Sequence, residues 1–139
     1  LYIKSIAQER TQTMPGPIIF VGSHQIHEGK LEIAKEASAD LARFVRDNHP
    51  RILHFEIYID DATREMTVIQ IHPDEESLML HMQLAGERLT RAYEFLDTIG
   101  VRMFGNPSES FKESAMGGRA QVSFATPFTG FSRLTGVAV

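Results

Sequence analysis

The 139-residue chain contains no cysteine, which removes disulfide scaffolds, zinc–thiolate and iron–sulfur sites and thiol nucleophiles together. Basic charge is scarce as well: 14 Lys and Arg stand against 18 Asp and Glu, a net charge of -4. That balance argues against a nucleic-acid surface built on clustered phosphate contacts. No run of about 18 apolar residues exists to span a membrane, and residues 1–16 lack the apolar stretch of a secretory signal. The expectation is a soluble, cytoplasmic, single-domain protein with no membrane or nucleic-acid partner. Its chemistry is confined to imidazole, carboxylate, phenol and hydroxyl groups, since no glycine-rich nucleotide fingerprint follows a strand and neither a nucleophile elbow nor a P-loop occurs.

What is present is a regular alternation of strand and helix periods. Residues 1–16 read as an N-terminal extension closed by Met14-Pro15-Gly16-Pro17. From Ile18 the run IIFVGSHQIH alternates in the manner of a strand, with His24 and His27 on opposite faces. Gly29 to Asn48 changes to helical period, placing Ile33, Ala37, Leu41 and Phe44 on one face, and His49-Pro50 stops it. Two strands, Ile52 to Asp60 and Glu65 to His72, flank the turn-forming Asp61-Ala62-Thr63-Arg64 and predict a hairpin. Leu53, Phe55, Ile57 and Ile59 make its apolar face, and a symmetric turn would gather His54, Glu56, Tyr58, Gln70 and His72 on the other.

Pro73-Asp74-Glu75-Glu76 then opens a second helix, with Leu78, Met82, Ala85, Leu89, Ala92, Tyr93 and Leu96 as its apolar stripe. A fourth strand is expected over Ile99 to Phe104. A short helix capped by Asn106 with Pro107 in its first position follows, and the chain ends in a phenylalanine-bearing arm with a strand at Gln121 to Ala125. The order β-α-β-β-α-β predicts an α+β, ferredoxin-like domain over residues 17–116, a four-stranded antiparallel sheet with both helices on one face. Residues 117–139 are the arm, expected to pack on the domain or on a partner subunit. The open sheet face favours a homodimer.

Within QIHPDEESLMLH, the residues Gln70, His72 and His81 repeat a spacing of two and then nine, and ILHFEIYID carries Phe55. On these residues, residues 18–105 resemble the antibiotic biosynthesis monooxygenase family of dimeric α+β barrel proteins. Gln70 stands where a glutamate is common, and His72 where tryptophan or tyrosine is typical. The haem-degrading branch relies on a tryptophan, and this chain has none.

The resemblance implies a monooxygenase-like enzyme using no cofactor or metal on a small phenolic, quinol or polyketide-type aromatic. His81 would be the catalytic base, and His54, Glu56, Tyr58, Gln70 and His72 substrate-binding groups. Plainer readings stand beside it: His81 as a solvent-edge histidine with no role, and the polar strand face as hydrogen-bonded residues of a dimer interface. A metal set of His24, His54, His72 and Glu56 would need three strands in one particular register and is not expected. The alternative function is a non-catalytic small-ligand-binding or stress-related protein of the same build.

Overall fold

In the computed structural model, which describes residues 16–118 and 120–134, one mixed five-stranded sheet carries three helices. The elements are β1 (Ile18–Ile26), α1 (Leu31–Asn48), β2 (His54–Asp60), β3 (Glu65–His72), α2 (Glu75–Ala92), β4 (Leu96–Phe104), α3 (Glu109–Met116) and β5 (Val122–Ala125). Strand order is β2-β3-β1-β4-β5. The first four strands pair antiparallel in the ferredoxin-like arrangement, and β5 joins β4 in parallel. The expected four-stranded antiparallel sheet is thus a five-stranded mixed one. The fifth strand comes from the C-terminal arm, where Val101 N–H donates to Gln121 O (2.8 Å) and Gly105 N–H to Ala125 O (3.0 Å). The extension proposed for residues 1–16 lies outside the described residues except for Gly16.

Local chemistry accounts for the boundaries. The Asp74 carboxylate accepts from Ser77 N–H (2.9 Å) to cap α2, and Glu75 and Glu76 complement the positive end of that helix. α3 begins later than the sequence pattern suggests: Ser108, not Asn106, is the cap, accepting from Phe111 N–H at 3.2 Å. β4 begins earlier, at Leu96, so this residue belongs to the sheet and not to the α2 stripe.

The helices pack on one sheet face over two apolar clusters. Ile26, Ala34, Met66, Val68 and Leu96 form the first, and Ile18, Leu78, Val101 and Met103 the second, joined by Phe111 and Ala115 of α3. At the end of β4, Gly105 adopts a φ of 146°, and a Cβ there would stand 2.6 Å from Pro17 O. The obstacle is backbone and cannot swing aside. Gly105→Ala is therefore expected to lower unfolding free energy by about 2 to 4 kcal/mol, read as a reduced urea midpoint. No helix among the described residues is long and apolar enough to cross a membrane.

Candidate functional site

Strand register decides which side chains meet. Asp60 pairs with Glu65 across the four-residue turn, so Phe55 lies opposite Gln70 and Ile57 opposite Val68. On the other edge of β3, Phe20 pairs with Gln70 and Ile18 with His72. Paired residues share a face, so Gln70 and His72 point with Phe55 toward the helices. From the opposite side, α2 contributes Ser77, Leu78, His81 and Ala85, its buried residues. His72 and His81, with 0% and 1% exposure, are thereby brought together under the helix.

Hydrogen bonds tie His49 and His72 into their surroundings. His49, just past the end of α1 and also buried, directs Nε2 at Ser77 O (2.9 Å); because a carbonyl only accepts, this nitrogen carries the proton. His72 Nδ1 lies 2.8 Å from Ser77 Oγ, and Nε2 lies 2.9 Å from Gln70 Oε1. With Oε1 as acceptor, His72 carries its proton on Nε2 and receives the Ser77 hydroxyl proton on Nδ1. Arg51 pairs with Asp74, and Asp74 fixes Ser77, so a surface ion pair anchors the buried chain.

The rings of His49, His72 and His81 form a triangle with 5.8 Å between each pair of centroids, and Phe55 lies 5.6 Å from His81. His81 differs from its neighbours: both of its ring nitrogens are buried without a protein partner. Burial, then the neighbouring His49, lowers its pKa to about 4; burial, then His81 and His49, lowers that of His72 to about 3. Both rings are neutral at physiological pH.

His81 and Gln70 are among the residues lining a cavity of about 900 Å³ between the sheet and the helices. Its walls are mainly apolar, including Phe20, Phe55, Leu78, Met82 and Val101. Only three of the strand residues lining it are polar: Gln70, His24 and Thr98. Gln70 Oε1 is engaged by His72, which leaves the amide hydrogens free to face an occupant. A neutral base, a fixed amide donor and an apolar chamber can deprotonate a weak acid and hold its anion.

His54, Glu56 and Tyr58 are elsewhere. They pair with Ile71, Ile69 and Thr67 on the opposite sheet face, where His54 Nε2 lies 3.9 Å from Glu56 Oε2 and Tyr58 is 49% exposed. The single polar face expected for the hairpin is corrected accordingly, because pairing across this turn matches odd with even positions. The register also separates His54 and Glu56 from His24 and His72, and no group of three or more His, Asp or Glu among the described residues could hold a metal ion. His49 and Ser77 were missed. The His49-Pro50 signal was legible only as a helix stop, since burial of the ring depends on α2 crossing it.

The four antiparallel strands with two helices over one face make a ferredoxin-like fold, and solved structures that include antibiotic biosynthesis monooxygenases share it. Among solved structures, the chain is similar to MupZ from Pseudomonas fluorescens, with TM-score 0.72 and 17% identity over 88% of this chain and 99% of that one. It is also similar to SnoaB, a cofactor-independent oxygenase from Streptomyces nogalater, with TM-score 0.56 and 14% identity over 67% and 95% of the two chains. A third similar structure is an antibiotic biosynthesis monooxygenase, with TM-score 0.55 and 15% identity over 62% and 94%. No family model matches the sequence, and no curated protein does.

Proposed function

We propose that the protein is a monooxygenase-like enzyme of the antibiotic biosynthesis monooxygenase family that acts on a phenolic, quinol or polyketide-type aromatic without a cofactor. One observation carries this reading: His81, a buried imidazole with no protein partner on either nitrogen, is among the residues that line a large apolar cavity. The comparison with a cofactor-independent oxygenase of the same fold supports it. His81 takes the proton of an acidic hydroxyl or activated methylene. The anion formed beside it reverses the penalty of burial and raises the pKa of the ring, so each charge stabilises the other. The Gln70 amide, oriented by His72 and Ser77, donates to the developing oxyanion.

The electron-rich carbon then forms a bond to molecular oxygen. His81 returns its proton to the peroxide; loss of the remaining hydrogen from that carbon, as a proton, then breaks the O–O bond, so the carbon becomes a carbonyl and the outer oxygen leaves as water. One oxygen atom enters the product and the other leaves as water. Residues 17–116 make up the catalytic domain in this reading, and the arm from 117 onward adds to it. The open face carrying His54, Glu56 and Tyr58 meets a second copy in a cytoplasmic homodimer.

Oxygen uptake with a panel of anthrones and hydroquinones tests the reaction. One oxygen consumed per carbonyl formed, at a rate unchanged by EDTA, is the expected result. Binding of these compounds with no uptake across the panel would overturn the enzymatic reading and favour a ligand-binding protein.

A further inference from the structure

The two halves of α2 are held differently. Its buried residues, Ser77, Leu78, His81 and Ala85, all lie in the first half, and none falls between Gly86 and Ala92. Yet the second half lies along the cavity, whose wall includes Arg88, Leu89, Arg91 and Ala92. The junction is Gly86, where a Cβ would meet no neighbouring element within 4 Å and where φ is not in the left-handed region. Neither crowding nor backbone conformation therefore calls for glycine. Alanine would favour a helix interior by about two- to fivefold in equilibrium terms, a preference the chain forgoes at this point. Thr90 Oγ donates to Gly86 O (3.0 Å), a bond to the preceding turn of the kind that bends helices.

The far end of the segment is also loosely wound. Tyr93, Glu94 and Phe95 N–H donate to Thr90, Arg91 and Ala92 O, a taper of three-residue turns with poorer hydrogen-bond geometry than the α-helix. Past it the chain is fixed again, with Phe95 O accepting from His27 N–H (2.9 Å) and Leu96 buried. Across the cavity, Arg88 ties the segment to α1: its guanidinium lies 3.8 Å from the centre of the Phe44 ring, and its Nε lies 3.7 Å from Asp40 Oδ2. That Nε is buried without a hydrogen-bond partner, so the tie is incomplete. We infer that Gly86–Ala92 is a flap that opens to admit a molecule to the cavity, with Gly86 as its hinge and Arg88 as its latch. Opening lifts the half-buried Leu89 and Ala92 and parts Arg88 from Phe44, while Leu78, His81 and Ala85 keep their packing. A gate that is closed in both the free and the occupied protein delays entry and exit alike, so it sets both rates and leaves affinity unchanged. The flap concerns entry alone, whatever happens to the occupant afterwards.

The test is stopped-flow fluorescence of the full chain with N-phenyl-1-naphthylamine, an uncharged apolar probe. Gly86→Ala is expected to slow association and dissociation alike by about two- to fivefold, with Kd within about twofold of wild type and a higher urea midpoint. Arg88→Leu should speed both rates by about two- to fivefold, the worth of one exposed cation–π contact, again at unchanged Kd. Amide exchange read by mass spectrometry needs no probe: residues 87–92 should be less protected than 77–85 in wild type, more protected in Gly86→Ala and less in Arg88→Leu. A more stable Gly86→Ala with wild-type rates would leave the glycine without a gating role and overturn the inference. Equal protection of the two halves, rates moving the same way in both variants, a change in Kd through one rate only, or no probe binding by wild type would do the same. Gly86→Ala decides alone if Arg88→Leu does not fold. Because rates and exchange are read without turnover, failure of the monooxygenase reading leaves this result standing, and unchanged rates in a protein that consumes oxygen sink only the flap.

Discussion

His81→Leu is expected to abolish oxygen uptake and at the same time make the protein more stable. General bases contribute roughly 100- to 10,000-fold to rate, so kcat should fall by about that range. Stability should move the other way, because both ring nitrogens of His81 are buried without protein partners beside Phe55 and Leu78. Leaving polar groups buried and unpaired costs about 1 to 3 kcal/mol, which an apolar side chain of similar size avoids. The gain should appear as an increase in urea midpoint of the order of 1 kcal/mol, with affinity for a non-reacting aromatic little changed. Activity lost together with stability would identify His81 as a packing residue. Activity retained would remove it as the base.

The second large effect is acid sensitivity. Unfolded histidine has a pKa near 6.5, whereas burial holds His72 at about 3 and His81 at about 4 in the folded chain. Below pH 6.5 the unfolded chain therefore binds protons that the folded chain refuses, and stability falls as pH falls toward the folded values. Each histidine contributes at most about 1.4 kcal/mol per pH unit, so lowering the pH from 7 to 5 should cost about 4 kcal/mol from the pair. That is a large part of the roughly 5 to 15 kcal/mol typical of a domain. Urea midpoints at half-unit pH intervals would show a steep decline beginning near 6.5, and His81→Leu should reduce the slope by about half. A flat profile between pH 7 and 5 would mean that both rings are already charged or solvated in the folded protein.

Much of this architecture can be read from the sequence because local signals agree with the tertiary outcome. β3 occupies Glu65–His72 as expected, since a β-branched, alternating run sits between a turn cluster and Pro73. The arm strand also forms where proline and glycine exclude a helix. The failures share a cause. Leu96 continues the helical stripe of α2 by spacing alone, and no glycine or proline marks the break after Ala92; only pairing with Ile26 draws it into β4. Gln70 and His72 were assigned to the wrong face because alternation gives a strand two faces without saying which side is inward. One residue of register inverts the answer. His81 is legible by its spacing from Gln70, but its depth is not, because burial comes from β2 and β3 beneath it. His49 carries no local signal beyond the stop it makes with Pro50.

The parallel attachment of β5 has a consequence for how this protein can change. A parallel neighbour requires the chain to cross over the sheet, and α3 is that crossover, packing Phe111 and Ala115 against Leu78 and Val101. Ser110, Phe111, Ala115 and Val122 line the same cavity as His81. The stretch after Phe104 therefore contributes part of the chamber wall without supplying His81 or Gln70. Cavity wall and buried imidazole cluster are written in separate lengths of polypeptide, so substitution in the terminal stretch can retune which molecules fit while His49, His72 and His81 stay as they are.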